Sequence, residues 1–240
     1  MKRFENKVCI VTGGTDGIGL TTVKQMAAEG GMVYACSRHE KDFAEENIQF
    51  HALDVTDMAS CQRLFEDVVA EQGRIDVLVL NAGITADALT AKMTDEQFDR
   101  VIDVNVRGVF NVGRLIGPYM EKQGFGSIVI IGSIVGEQGN VGQINYAASK
   151  GAVMSMTRTW AKEFARKGAN VRVNCVAPGY IMTNMMKTVP EKLLEQFAGN
   201  TLLKRLGQPE EIANVICFLS SEQASYVTGI TLSANGGLKL

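Results

Sequence analysis

Short apolar runs alternate with stretches of helical spacing from one end of the chain to the other. Val8-Cys9-Ile10-Val11 is continuous and apolar, as a strand buried on both faces of a parallel sheet should be, and it stops at Thr12-Gly13-Gly14. A helical pattern follows through Ile18, Val23, Met26 and Ala27, then a second strand over Met32-Val33-Tyr34-Ala35-Cys36. A third strand is expected at residues 48–53, reached by a short charged connection with a helix of about two turns. Leu64, Phe65, Val68 and Val69 mark a helix over residues 61–72, before a fourth strand at 75–80 that ends at Asn81-Ala82-Gly83. A long helix is predicted from Asp95 to Met120 with a break near Gly108, then a fifth strand at 127–131 and a helix at 144–167. A sixth strand at 171–176, helices at 191–198 and 209–220, and a last strand at 231–233 complete the pattern. Such alternation implies right-handed crossovers and one Rossmann-type α/β domain spanning residues 1–240. Its parallel sheet is doubly wound, with about seven strands and helices on both faces. No linker, repeat or low-complexity segment interrupts it.

Composition narrows the function classes. The 240 residues are 46% apolar and 21% charged, and the net charge of -2 argues against nucleic acid as a partner. Cys9, Cys36, Cys61, Cys175 and Cys217 are scattered singly, without a Cys-x-x-Cys pair or a His cluster, so neither a metal site nor a disulfide framework is expected. The N-terminus lacks the apolar core of a signal peptide, and no run approaches the roughly 20 residues needed to span a bilayer. A soluble cytoplasmic protein is the expectation.

In doubly wound sheets the ligand sits beyond the carboxyl ends of the strands. Thr12-Gly13-Gly14-Thr15-Asp16-Gly17-Ile18-Gly19 links a strand to a helix there. Gly13 permits the tight turn, Gly17 lets backbone approach a pyrophosphate, and Gly19 allows close packing, while the helix start offers N–H groups to phosphates. The end of the second strand carries Ser37-Arg38-His39 instead of the acid that bonds the ribose hydroxyls of NAD. Arg38, with Ser37 as a further donor, can fork onto a 2′-phosphate, so NADP(H) is favoured. Asp16 pulls the other way, and NAD stays open. Further along, Tyr146 and Lys150 stand four apart on one helix face, where a cation would lower the phenol's pKa toward neutrality. Ser133 follows the apolar run 128–132 at a strand end.

Taken together, Thr12-Gly13-x-x-x-Gly17-x-Gly19, Asn81-Ala82-Gly83, Asn105, Ser133, Tyr146-x-x-x-Lys150 and Pro178-Gly179 resemble a short-chain dehydrogenase/reductase over essentially the whole chain. Within that family the chain is most similar to bacterial 3-oxoacyl-[acyl-carrier-protein] reductases, through Asn81-Ala82-Gly83-Ile84-Thr85, Gly132-Ser133-Ile134-Val135-Gly136, 145–150 and Ala234-Asn235-Gly236-Gly237. The resemblance implies NADPH-dependent reduction of a 3-oxoacyl thioester in fatty-acid synthesis. The same chemistry on another ketone or alcohol, such as acetoacetyl-CoA, a steroid, a sugar or a diketone, is the alternative.

It further implies Tyr146 as general acid, Lys150 as its partner and holder of the nicotinamide ribose, Ser133 at the substrate carbonyl, and Asn105 holding a relay water. Asn81, Ala82 and Gly83 would flank the adenosine ribose, Asp54 and Val55 the adenine, and Ile181 and Thr183 the carboxamide and phosphates. Plainer roles remain open: Ser133 as a cap, Asn105 bonding a loop carbonyl, Asp54 as a turn acid. Leu80 replaces an Asn common in the family. Gly124 falls where the carrier-dependent relatives hold an Arg near the site entrance; Arg166 and Lys167 keep a second basic position for an acyl carrier protein. Met182, Met185, Met186 and Phe197 suggest an apolar lid within residues 181–203. Family habit favours a homotetramer.

Overall fold

Period-2 alternation in the strands divides the core into two layers. Val8 and Ile10 of β1 (Val8–Thr12) face one cluster of buried side chains, while Cys9 and Val11 face the other. The same alternation recurs in β4 (Val77–Leu80), where Leu78 and Leu80 oppose Val77 and Val79, and in β5 (Phe125–Ile131). The structure, a computed structural model, describes residues 2–184, 186 and 189–238.

With β2 (Met32–Ser37), β3 (Ile48–Ala52), β6 (Asn170–Pro178) and β7 (Thr231–Ala234), these strands form one parallel sheet in the order β3-β2-β1-β4-β5-β6-β7. The order reverses between β1 and β4, which is where such sheets open a crevice for a ligand. One face is covered by α2 (Met58–Gln72), α4 (Gly108–Gln123) and α6 (Ile144–Ala165), through Leu64 and Val68, Ile116 and Met120, and Val153, Trp160 and Phe164. The other is covered by α1 (Gly17–Ala28) and α8 (Pro209–Ser220), through Val23, Met26, Ile212 and Ile216. A Cβ on Gly113 would come within 2.2 Å of Trp160, so α4 and α6 pack as closely as they do because that position has no side chain.

Two expectations need correction. No helix lies between β2 and β3: residues 38–47 form a loop. Phe43 packs on the α1-side core and Asn47 Nδ2 donates to the Ala27 and Gly31 carbonyls, both at 2.8 Å, but no apolar stripe of helical spacing exists to dock a helix. The break near Gly108 is a π turn, Asp103–Arg107, between α3 (Asp95–Ile102) and α4, so the helical rod continues through it. A π turn inserts one residue and turns a side chain inward, and here that side chain is Asn105, buried to 1% exposure. A short helix α5 (Ile134–Gln138) and α7 (Glu191–Asn200) complete the elements used below.

Candidate active site

The phosphate-type loop is held by its neighbour strand. Thr12 Oγ1 accepts from the Asn81 and Ala82 N–H groups, each at 3.0 Å, and Asn81 Nδ2 donates to the Thr12 and Gly13 carbonyls at 3.0 and 3.1 Å. These bonds tie the ends of β1 and β4 across the switch point. Gly13 and Gly17 have positive φ, +65° and +51°, which glycine adopts without strain. A Cβ on Gly19 would stand 2.1 Å from the Gly13 carbonyl oxygen. The loop therefore delivers bare backbone to the start of α1, whose first N–H groups have no partners within the helix. Asp16 is the N-cap of that helix. Its Oδ1 accepts from Gly17 N–H at 2.8 Å and from Asn184 Nδ2 at 2.7 Å, which commits the carboxylate to the loop and to the segment after β6.

Beside this loop lies a cleft of about 470 Å³, walled by the ends of β2, β3 and β4 and by the α3 rod. It brings together Gly13, Thr15, Ser37, Arg38, Asp54, Val55, Ala82 and Gly83. Thr15 Oγ1 donates to Ser37 Oγ at 2.9 Å, fixing the corner from which Arg38 projects. Arg38 is exposed and, among the described residues, makes no hydrogen bond or ion pair; its charge is felt at Asp54. Asp54 accepts from Thr56 N–H at 2.9 Å and Thr56 Oγ1 at 2.7 Å, and these bonds hold its carboxyl below the usual range. It is thus the turn acid of the plainer reading, and it lines the cleft as well. A dinucleotide fits this half on three counts: glycines whose Cβ atoms would fill the loop, a helix start facing it, and an unpaired guanidinium.

The second half gathers at the ends of β5 and α6. Lys150 is buried to 4% exposure and donates from Nζ to the Ile131 carbonyl at 2.7 Å, with Nζ 5.5 Å from the Tyr146 ring centroid. Burial lowers its pKa to about 8. The Tyr146 hydroxyl faces Ser133, close enough for the two groups to interact. The expected depression of the Tyr146 pKa by Lys150 is not the balance observed. Burial raises it most, Ser133 opposes that, and the Asp87 carboxylate raises it further, while the Lys150 ammonium is turned to a backbone carbonyl. Ser133 also caps α5, accepting from Val135 N–H at 3.2 Å. Asn105 Oδ1 accepts from Ile84 N–H at 2.8 Å, while its Nδ2 donates to the Ile84 carbonyl and to Ser149 Oγ, both at 3.0 Å. The structural roles weighed against Ser133 and Asn105 are therefore real, and both residues still stand around Lys150 and Tyr146. Gly83 joins the halves: a Cβ there would lie 3.2 Å from Asn105 Oδ1 and 3.4 Å from Lys150 Nζ.

Pro178 ends β6, Gly179 N–H donates to the Ala234 carbonyl at 3.2 Å, and Ile181 bridges to Gly207. Thr183 reaches the loop, its Cγ2 3.5 Å from where a Gly17 Cβ would be. Of the expected apolar lid, Phe197 stacks on Tyr180 at 4.2 Å, Met182 and Met186 are partly buried, and Met185 lies outside the described residues. Gly124, Arg166 and Lys167 lie at the starts of β5 and β6, the end of the sheet opposite Ser133. There Arg166 and Lys167 sit 4.0 and 3.4 Å from Glu121 Oε1. Within one chain, then, they do not flank the site entrance as expected.

Arg100, Asp103, Val104 and Thr56 also line the cleft and escaped the motif reading, as did Asp87 beside Tyr146. The available signal was the i, i+3, i+4 spacing of Arg100, Asp103 and Val104, which places them on one helix face just before Asn105. Among the described residues no cluster suits a metal ion, no helix is long and apolar enough to cross a membrane, and the five cysteines are buried and unpaired.

Comparison with known proteins bears on the same site. A family model described as enoyl-(acyl carrier protein) reductase matches residues 13–239. A 3-oxoacyl-[acyl-carrier-protein] reductase of Thermotoga maritima is 48% identical, covering 98% of this chain and 99% of its own. An acetoacetyl-CoA reductase of Rhizobium meliloti is 42% identical over 97% of this chain and 98% of that protein. A solved structure titled "Crystal structure of gox2181" superposes with a TM-score of 0.91 at 35% identity, covering 98% and 96% of the two chains.

Proposed function

The chain belongs to the short-chain dehydrogenase/reductase family, and from that premise we propose that it reduces the ketone of a 3-oxoacyl thioester to the 3-hydroxyacyl form with NADPH. The substrate class is that of the acyl-carrier-protein reductases it resembles at 48% identity. The observation that carries this reading is the grouping of Ser133, Tyr146 and Lys150 at the end of β5, beside a cleft suited to a dinucleotide.

The nicotinamide, when bound, supplies the hydride. The remaining work falls to the protein. Tyr146, which holds its proton at neutral pH, gives it to the carbonyl oxygen as charge develops there. Ser133 donates to the same oxygen, a second preorganised donor in a site largely shielded from water. Lys150 keeps a positive charge below about pH 8 and holds the nicotinamide ribose. Asn105, bonded to both backbone groups of Ile84, holds the water that returns a proton toward Lys150. Gly13, Thr15, Gly17, Ile18 and Gly19 cradle the pyrophosphate, Asn81, Ala82 and Gly83 the adenosine ribose, and Ile181 and Thr183 the carboxamide side. Arg38 and Ser37 receive the 2′-phosphate. Asp16 is held by Gly17 and Asn184, so it acts as a brace of the loop. Two hydroxyl donors for one oxygen suit a carbonyl better than the carbon–carbon double bond named in the family model's description.

A second reading, reduction of a CoA thioester, is favoured by the acetoacetyl-CoA reductase relative and by the position of Arg166 and Lys167, away from the site entrance of their own chain. A panel of carrier-bound, CoA-bound and free 3-ketones separates the two. The carrier-bound ester is expected to give the highest kcat/KM; equal or better activity with the CoA ester would overturn the carrier assignment. The same premise supports a cytoplasmic homotetramer built through α4, α6 and the C-terminal segment, which light scattering checks.

A further inference from the structure

Arg38 has a counterpart on another wall of the cleft. Arg100, on α3, lines the same space, and its exposed guanidinium makes no hydrogen bond or ion pair among the described residues, not even with the Asp103 carboxylate one turn away. Its surroundings differ from those of Arg38. Val104, one turn on, and Val55 are apolar faces of the same cleft. The rod carrying Arg100 is locked to the Val55 loop: a Cβ on Gly108 would stand 2.5 Å from Val55 Cγ2, and Asn111 Nδ2 donates to the Val55 carbonyl at 3.0 Å. Arg38 instead leaves the Thr15–Ser37 corner beside the phosphate loop.

Charge decides what Arg100 receives. Asp103, one turn on from Arg100, lines the cleft with it, so an anion placed there would meet a negative group. A neutral aromatic base meets no such repulsion, and a guanidinium stacks well on an aromatic face. We propose that Arg100 closes the adenine end of the cleft by lying over the base, so that Arg38 reads the 2′-phosphate and Arg100 reads what NADPH and NADH share. This rests on the reading of the cleft as a nicotinamide-dinucleotide site.

Fluorescence titration of the full chain with NADPH, NADH and reduced nicotinamide mononucleotide, which lacks the adenosine half, tests it without turnover. Arg100→Ala should raise the Kd for NADPH and for NADH alike, by roughly 5- to 10-fold, and leave the mononucleotide unchanged. Arg38→Ala should weaken NADPH alone. Loss confined to NADPH in Arg100→Ala would make Arg100 a phosphate reader and overturn the proposal, as would no change with either dinucleotide. If the unmutated chain bound neither dinucleotide, the reading of the cleft would fail first. The Arg100 side chain is exposed and has no partner among the described residues, so its removal leaves the fold intact, and an unchanged melting temperature checks that.

Discussion

The two halves of the cleft are built on opposite terms. Around Tyr146 and Lys150, polar groups have partners before any ligand arrives: Lys150 on the Ile131 carbonyl, Asn105 on Ile84 and Ser149, Ser133 on Val135. In the adenosine half, Arg38 and Arg100 stand at the walls without partners. The first arrangement is rigid and preorganised, as a reaction that must place one proton requires. The second leaves these two guanidiniums free to be satisfied by the molecule they select. Chemistry and selectivity are thereby separated in space, with Gly83 the narrow point between them.

That separation can be broken at either half. The largest expected loss of binding comes from Gly19→Ala, whose methyl group would press on the Gly13 carbonyl and the Asn81 amide together. Titration should find binding of both dinucleotides weakened by roughly 100-fold or more, about the 3 kcal/mol that overpacking a rigid site costs. Asn105→Ala acts on the other side. It leaves the partly buried Ile84 N–H and carbonyl without their partner, so about 1–3 kcal/mol of stability should go, read by denaturant unfolding. Turnover should fall at least tenfold while NADPH binding changes little.

The smallest effect is a pH limb. Lys150, lowered to about 8, holds its proton below that pH and loses it above, while Tyr146, raised by burial, stays protonated. The kcat/KM for reduction should be level below about pH 8 and decline above it. A flat profile between about pH 6 and 10 would remove Lys150 from the protonation argument.

Much of this architecture was legible in the chain, and the reasons it was legible are also the reasons part of it was not. Strands such as β1 and β4 declare themselves because burial on both faces demands unbroken apolar runs. The doubly wound order followed from their alternation with helices. Residues 38–47 misled because a charged stretch between strands resembles a short helix; only docking decides, and Phe43 alone cannot dock one. The π turn that turns Asn105 inward has no pattern of its own, so that side chain's place depended on family resemblance. The direction of the Tyr146 pKa was misjudged because spacing reports neighbours and not burial. Arg100 was passed over because a charged residue on an amphipathic helix reads as solvated until the opposite wall is known.

The account turns on Tyr146 as the proton donor of an otherwise intact site. Tyr146→Phe removes one oxygen, keeps the ring against Ile134 and Val135, and leaves the adenosine half untouched. Measured side by side, its kcat for the 3-oxoacyl thioester should fall by about 10²–10⁴-fold, while its Kd for NADPH stays within about twofold of the unmutated protein. Retention of more than about a tenth of the turnover would contradict the account, because the proton would then have another source.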